Sequence, residues 1–106
     1  MIRKRLSDMK GGWFVGDFSP VVLRSKEAEV AVKFYVRGAR EDRHVHRVAH
    51  ELTLILNGSV RMNGEDLAHG DIVMLEPGEP TDFEALTDVT TVVVKVPSII
   101  GDKYAC

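Results

Sequence analysis

Two histidines and a glutamate lie close together near the middle of the chain, within residues 38–58, GAREDRHVHRVAHELTLILNG. Only one residue separates His44 from His46, so on a β-strand both side chains project from the same face. Glu51 begins an alternating apolar segment after a short turn. Imidazole nitrogens and a carboxylate oxygen are common ligands of divalent transition metals, and non-haem iron(II) oxygenases use this set with open coordination positions. These three residues are therefore candidate metal ligands.

The same segment also has a simpler interpretation, as a polar loop that leads into an apolar strand. His44 and His46 stand among arginines and could be exposed polar residues. His50 is adjacent to Glu51, so a strand would point it to the opposite face, towards solvent or an interface. His69 precedes Gly70 in a turn and is predicted to lie on the surface.

The elements that would position these residues are short β-strands. Alternating or β-branched segments separated by turn residues predict an all-β sandwich or small barrel. Asn63-Gly64 indicates a tight hairpin, because both residues tolerate positive φ. The best helical window, residues 2–10, lacks an apolar stripe. The predicted strands lie in 29–37 (EVAVKFYVR), 51–57 (ELTLILN), 60–67 (VRMNGEDL, around the hairpin), 71–77 (DIVMLEP) and 90–97 (TTVVVKVP).

The alternation in residues 29–37 defines two faces. Val30, Val32, Phe34 and Val36 share one of them and are expected inside, since apolar side chains normally occupy the interior. Tyr35 and Arg37 share the other face and could line a pocket only if it points inward. The aromatic residues nearer the N-terminus, Trp13, Phe14 and Phe18, are predicted to pack across the barrel or at a subunit contact rather than to form a ligand platform.

Composition restricts the classes of protein to consider. A chain of 106 residues forms one domain, and a net charge of −2 gives no reason to expect a nucleic-acid partner. No apolar run approaches the roughly 18 residues that cross a bilayer. The N-terminal residues lack the pattern of a signal peptide. The single cysteine, Cys106, cannot form an internal disulfide and is an improbable nucleophile at a terminus. A cytoplasmic location is expected.

The local spacing resembles the first motif of the cupins. That motif consists of a glycine, five residues, His-x-His, four residues, a glutamate, six residues and a glycine, and Gly38, His44, His46, Glu51 and Gly58 match it without a gap. A second cupin-like motif follows. It begins at Gly70-Asp71, continues through the apolar IVML and Pro77-Gly78, and ends at the aromatic Phe83.

The resemblance implies a small jelly-roll, or double-stranded β-helix, barrel over residues 1–106, with residues 1–19 packed on the barrel or at a dimer contact. It also implies a divalent transition metal (Fe, Mn, Zn or Ni) at the open end, held by His44, His46 and Glu51. Cupins commonly add a histidine ligand two residues before the aromatic, where this chain has Thr81. A hydroxyl is a poor ligand for these metals, and a register shift would bring in Asp82 instead.

Three functions remain open. The first is a metalloenzyme of dioxygenase, isomerase or epimerase type that acts on a small sugar- or acid-type molecule, for which no catalytic acid or base is identified in the sequence. The second is a module that binds a metal or a small ligand without turnover. The third is a structural dimer without stoichiometric metal. Cupins often pair through a sheet, and the apolar rows are long for one small barrel, so a homodimer is expected. These rows are Leu52, Leu54 and Leu56, and Val92, Val94 and Val96.

Overall fold

The structure, a computed structural model, describes all of residues 1–106. Short 3-10 turns at Leu6–Asp8 and Lys10–Gly12 precede the strands, and no helix is long and apolar enough to span a bilayer. In chain order the strands are β1 (Trp13–Gly16), β2 (Leu23–Arg24), β3 (Glu29–Tyr35), β4 (Arg40–Val45), β5 (His50–Asn57), β6 (Ser59–Met62), β7 (Glu65–Ala68), β8 (Ile72–Leu75), β9 (Pro80–Ala85), β10 (Val89–Val96) and β11 (Tyr104–Ala105).

The strands form two sheets. The six-stranded sheet has the order β2-β1-β3-β10-β5-β8, and the five-stranded sheet has the order β11-β4-β9-β6-β7. Every pair of neighbours is antiparallel except β1 and β2. Each predicted segment contains a strand, and the predicted all-β class is confirmed.

The turn residues behave as their chemistry requires. Asn63 and Gly64 join β6 to β7 with φ values of 50° and 77°, the positive pair that a two-residue hairpin needs. Gly58 has a φ of 83°, and a Cβ built there would lie 2.3 Å from the carbonyl oxygen of Asp88. Both the backbone conformation and the available space therefore favour glycine at position 58.

The two faces of β3 are the reverse of the expected arrangement. Lys33 and Tyr35 line an internal cavity, whereas Phe34 and Val36 remain 70% and 72% exposed. The prediction that the Val/Phe face points inward is therefore wrong. The Val/Phe face points outward because this end of the barrel encloses ionisable groups that pair with one another, so polar side chains occupy the inside. Arg37 shares the parity of Tyr35 but lies beyond β3 and is exposed.

The interior of the barrel changes character along its strands. On β5 the inward residues progress from Glu51 through Thr53 to Ile55, which is fully buried. The apolar end contains one cluster of buried residues. It comprises Ile55, Val60, Met62, Leu75, Phe83, Ala85 and Val89. The opposite end of the same strands contains the candidate metal ligands.

Candidate metal centre

The three predicted ligands converge at the polar end of the barrel. His44 lies on β4, His46 directly follows it, and Glu51 is the second residue of β5. One potential ligand atom from each residue lies within 4.8 Å of the others. Both histidines are 5% exposed. Ligands bound to one ion at about 2.1 Å are at most about 4.2 Å apart, so the observed separation is close to that of a shared ion.

A backbone carbonyl orients each imidazole ring. Nδ1 of His44 donates to the carbonyl of Asp42 at 2.8 Å, and Nδ1 of His46 donates to the carbonyl of Asp102. A carbonyl can only accept, so the proton of each neutral ring is on Nδ1 and Nε2 retains its lone pair. Histidines that bind metals usually have their second nitrogen fixed in this way.

The contact between His46 and Glu51 tests whether a cation fits the site. Nε2 of His46 lies 2.6 Å from Oε2 of Glu51, yet Oε2 is buried without a donor in hydrogen-bond geometry. With a neutral ring, two lone pairs would face each other in a desolvated place, which is unfavourable. A proton or a metal ion between them removes the conflict. The two nitrogen donors and one oxygen donor fit a divalent transition metal.

The pKa values describe the same pair without an ion. The close contact with Glu51 raises the pKa of His46 and outweighs the opposing effect of burial. Burial acts to raise the pKa of Glu51, but the contact with His46 and the charge of Lys95 outweigh it and lower this pKa. The metal-free pair therefore favours an imidazolium and a carboxylate, with the proton where a metal would otherwise be.

Asp102 supports the turn that carries these ligands. Its carboxylate accepts hydrogen bonds from the backbone nitrogens of the three residues after His46, namely Arg47 at 2.8 Å, Val48 at 3.2 Å and Ala49 at 2.9 Å. Burial acts to raise the pKa of Asp102, but these donors outweigh it and hold the pKa below its ordinary value. Sequence inspection assigned Asp102 no role, because no local pattern links it to residues more than 50 positions away.

Similarity to solved structures identifies the architecture. The chain superposes on an uncharacterized conserved protein with a double-stranded β-helix domain from Klebsiella pneumoniae with a TM-score of 0.70 and 23% identity, over 76% of this chain and 72% of that one. For an RmlC-like cupin from Shewanella frigidimarina, the TM-score is 0.66 and the identity 19%, over 71% and 70%. The chain has the cupin fold. By sequence it matches no family model and no curated protein.

A longer protein with the cupin fold also matches. Oxalate decarboxylase from Bacillus subtilis superposes with a TM-score of 0.68 and 19% identity, over 76% of this chain but only 24% of the decarboxylase. That enzyme is described with Mn(II) centres. At these identities the likeness establishes the fold, and the resemblance noted in the two sequence motifs is confirmed at that level.

The two cupin-like motifs meet in space. Gly78, in the second motif, donates its backbone N–H to the carbonyl of His46 in the first motif at 2.7 Å. Thr81 lies directly opposite His44 in the β4–β9 ladder and is 3% exposed. The position where cupins commonly have a fourth ligand therefore does border the ligand cluster.

Thr81 and Asp82, the two residues considered for the fourth ligand position, each make a hydrogen bond with another residue. Thr81 lines the cavity, but its hydroxyl donates to the carbonyl of Asp82 at 2.9 Å. The Asp82 carboxylate accepts the backbone N–H of Asn63 at 2.8 Å and does not join the ligand cluster. This cupin fold therefore offers three converging ligands, with a threonine hydroxyl beside them.

Lys33 and Tyr35 form a polar wall of the cavity. Sequence inspection assigned Lys33 no role and allowed Tyr35 to line a pocket only if its strand face pointed inward. Tyr35 donates its hydroxyl to Oε1 of Glu41 at 2.7 Å, and the ammonium of Lys33 lies 3.7 Å from the same oxygen. Burial, together with the nearby Glu41 carboxylate, raises the pKa of Tyr35 above its ordinary range. Tyr35 is therefore a neutral hydrogen-bond donor. The alternation of Lys33 and Tyr35 with apolar residues was the available signal for this wall.

The remaining predicted residues lie at the surface or at the mouth of the cavity. His50, His69 and the free thiol of Cys106 are exposed. Trp13 packs edge-on against Phe18 at 6.4 Å between ring centroids, as a packing role requires. Trp13 also lines the cavity, a position that the packing interpretation did not anticipate.

Proposed function

We propose that this protein binds a divalent transition metal through His44, His46 and Glu51 and holds a small polar molecule beside it. The observation that carries the proposal is the buried Oε2 of Glu51, which faces Nε2 of His46 and has no donor in hydrogen-bond geometry. The backbone carbonyls that fix both Nδ1 atoms add support, because they leave each Nε2 available.

The identity of the metal stays open among Fe, Mn, Zn and Ni. Two imidazoles and one carboxylate suit each of these ions, and affinity alone does not select among them. The Mn(II) centres described for oxalate decarboxylase make manganese one reasonable first choice for reconstitution.

The cavity beside the ligands defines what else can bind. Its solvent-accessible volume is about 40 Å³, room for a few waters or a small chelating group. A bound divalent ion would supply Lewis-acid polarisation of an oxygen on the guest molecule. The only O–H of Tyr35 is already donated to Glu41, so its phenol oxygen would accept a hydrogen bond from the guest. Phe83, whose ring centre lies 4.5 Å from that of Tyr35, would exclude water from that side.

Metal analysis of protein purified without a histidine tag tests the proposal. We expect about one ion per chain, and Glu51→Gln should weaken metal retention by at least about tenfold, since it removes the anionic ligand. Glu27→Gln is the matched control, because Glu27 is exposed and lies outside the cluster. Wild-type protein that contains no stoichiometric metal and regains none on titration would contradict the proposal and favour a structural role.

Binding without turnover is the second candidate. The acid–base groups near the ligands are already committed, since Glu41 accepts from Tyr35 and also pairs with Lys33. A panel of O₂-dependent and sugar-type substrates separates the two candidates: turnover that Glu51→Gln abolishes establishes an enzyme, and binding without product formation establishes a binding module.

We further propose that the outer face of the six-stranded sheet forms a homodimer. Its outward rows on β3, β5, β8 and β10 are apolar except for His50 and Thr90 and contain no Asp, Glu, Lys or Arg. Phe34, Ile72 and Met74 in these rows are 70%, 67% and 52% exposed. A contiguous apolar surface of this kind is typical of an interaction site. A second copy presents the same uncharged face, so pairing involves no charge repulsion. A cytoplasmic location stays a prediction for this dimer.

A further inference from the structure

A groove outside the metal cavity continues its surface towards solvent. The groove, of about 440 Å³, shares Trp13, Lys33, Lys95 and Lys103 with the cavity lining. We call it the mouth groove. Because the cavity itself holds only a small group, most of any larger guest would lie in the mouth groove.

Lys95 lies at the junction of the cavity and the mouth groove and lines both. It points inward from β10 and lies directly opposite Glu51 on one neighbouring strand and Glu29 on the other. Its ammonium is 4.9 Å from the centre of the Trp13 ring. No carboxylate oxygen lies within 4.0 Å of that ammonium, since the ion pairs of the chain involve other residues. Lys95 thus has two carboxylates on neighbouring strands but no direct ion pair with either.

Lys33 reinforces this positive region from the adjacent strand. Its ammonium lies 5.6 Å from the centre of the Trp13 ring and 3.7 Å from Glu41. Trp13 therefore has a lysine near it from each of two strands, which is a favourable arrangement of cations around an indole ring. The side chain of Lys33 is only 25% exposed, so this charge is partly withdrawn from water.

The mouth groove is lined by more positive than negative side chains. Four lysines, including Lys10 and Lys103, line it with a single carboxylate, that of Glu29. The chain as a whole has a net charge of −2, so the positive groove is a local feature of an otherwise slightly acidic protein. Electrostatic complementarity favours an anion at such a place.

We infer that the mouth groove binds the anionic group, a phosphate or a carboxylate, of a small ligand whose opposite end reaches the cavity beside His44, His46 and Glu51. The guest would then be an anionic sugar or hydroxy acid rather than a neutral sugar. This inference rests on the proposed function for the polar end of the guest, while the lysines act on its anionic end. Lys95 would contact the anion directly, and Lys33 would strengthen the field.

Calorimetric titrations with three related probes test the inference on the metal-loaded and the metal-free protein. Glucose 6-phosphate provides a phosphate, glucuronate provides a carboxylate, and glucose is the neutral control. We expect at least one anionic probe to bind about tenfold or more tightly than glucose, and to change the fluorescence of Trp13, the only tryptophan. The tighter anion identifies the source of the charge. Equal binding of all three probes, or no binding of either anion, would overturn the inference.

Substitutions test whether Lys95 binds the anion. Lys95→Met should weaken anion binding by about tenfold, and Lys95→Arg should retain most of it because the charge is kept. Lys26→Met is the matched control, since Lys26 is exposed and lines neither the cavity nor the mouth groove. Unchanged anion binding in Lys95→Met would overturn the inference. If Lys95→Met fails to fold, Lys103→Met, at an exposed position, carries the same test with the same two outcomes.

The two proposals can fail separately. Metal binding that depends on Glu51, without any preference for anionic probes, would remove the inference and leave the proposed function intact. Lysine-dependent anion binding by a chain that takes up no metal would retain the anion site and remove the metal centre.

Discussion

The backbone carbonyl of Asp102 accepts the Nδ1–H of His46, while its carboxylate accepts the backbone N–H groups of the residues that follow His46. One residue from the C-terminal segment thus fixes both the ring of a candidate ligand and the turn that joins it to Glu51. The next strand extends this contact, since β11 pairs with β4 and places Ala105 opposite His44. The geometry of the candidate metal centre therefore depends on the last residues of the chain.

Asp102→Ala should weaken metal binding without removing a ligand. The loss of the carboxylate leaves three turn N–H groups without their acceptor, and the variant retains the backbone carbonyl that holds His46. We therefore expect metal affinity to fall by about tenfold, at the lower end of the range for removal of a group that is bonded directly to a ligand. We also expect the free energy of unfolding to fall by about 1–3 kcal/mol. Competition with a chelator and urea denaturation measure the two effects.

Asp88→Ala is the control for this variant. Asp88 also accepts a backbone N–H, that of Arg37 at 2.9 Å, but it is exposed and distant from the ligand cluster. It should reduce stability slightly and leave metal affinity unchanged. Metal affinity that survives in Asp102→Ala would show that the turn keeps its shape without the carboxylate.

Metal binding should release a proton and should weaken as the pH falls. The pKa of His46 is raised by its contact with Glu51, so its ring holds a proton at pH values where an isolated histidine has begun to lose it. In the metal-free protein the raised pKa of His46 stabilises the fold fully below the unfolded-state pKa of about 6.5, and this contribution is lost as the pH rises through the higher folded-state pKa. The lowered pKa of Glu51 limits the window at acid pH, because its contribution is lost as the pH falls through the folded-state pKa. A metal must displace that proton.

Calorimetry near pH 6.5 in two buffers of different ionisation enthalpy measures the proton release. We expect a net release in the wild type and a smaller one in Glu51→Gln, in which the anionic partner that raises the pKa is absent. Metal binding with the same affinity at pH 5.5 and 7.5, and without proton release, would be incompatible with the His46–Glu51 pair as a ligand site.

Thr81→His should add a fourth ligand to the centre. Thr81 is buried opposite His44 and lines the cavity, so an imidazole at this position is expected near the other ligands. The larger side chain should cost about 1–3 kcal/mol of stability through crowding. We expect metal affinity to rise by about tenfold or more in chelator competition, because one more nitrogen donor coordinates the ion.

Thr81→Val separates the contribution of the hydroxyl from that of the new imidazole. It removes the hydrogen bond to the Asp82 carbonyl and keeps the volume similar. Metal affinity should stay the same in this variant. A large loss of affinity would identify the threonine hydroxyl itself as a ligand, and an unchanged affinity in Thr81→His would place position 81 outside coordination distance.

Met74→Glu should convert the proposed homodimer into a monomer. Met74 is 52% exposed on the outer face of β8, so the monomer can accommodate the charge, whereas a carboxylate buried between two copies cannot be solvated. Light scattering after size exclusion measures the mass, and Ile100→Glu, at a 77% exposed position outside both sheets, serves as a control. A wild-type protein that is monomeric at high micromolar concentration would exclude the dimer.

The strands and the ligand cluster could be predicted because their signals are local. The positive φ tolerated by Asn63 and Gly64 identifies the hairpin, and the spacing of His44, His46 and Glu51 places three candidate ligands at the ends of consecutive strands. Alternation also separates Phe34 from Tyr35. Alternation does not predict which of the two faces lies inside the barrel. In this protein the apolar face with Phe34 is exposed and the polar face with Tyr35 lines the cavity, the reverse of the usual arrangement.

Other features could not be predicted because they depend on contacts between distant segments. Asp102 meets residues 47–49 only once the C-terminal segment has crossed the barrel end. Lys95 resembles an ordinary solvent-exposed lysine in a β-branched strand until the register places it opposite Glu51 and above Trp13. Such roles arise from tertiary pairing, for which a single sequence gives no direct signal.

The interior of the barrel changes from polar at Glu51 to apolar at Ile55 along β5, so ligand recognition and folding stability depend on different ends of the barrel. Substitutions at the polar end can change which ligand binds, while packing at the apolar end continues to stabilise the domain. A library restricted to Lys33, Glu41 and Lys95, none of which belongs to the buried apolar cluster, would therefore diversify recognition while that cluster stays intact, which makes this short chain a practical scaffold for engineered binding.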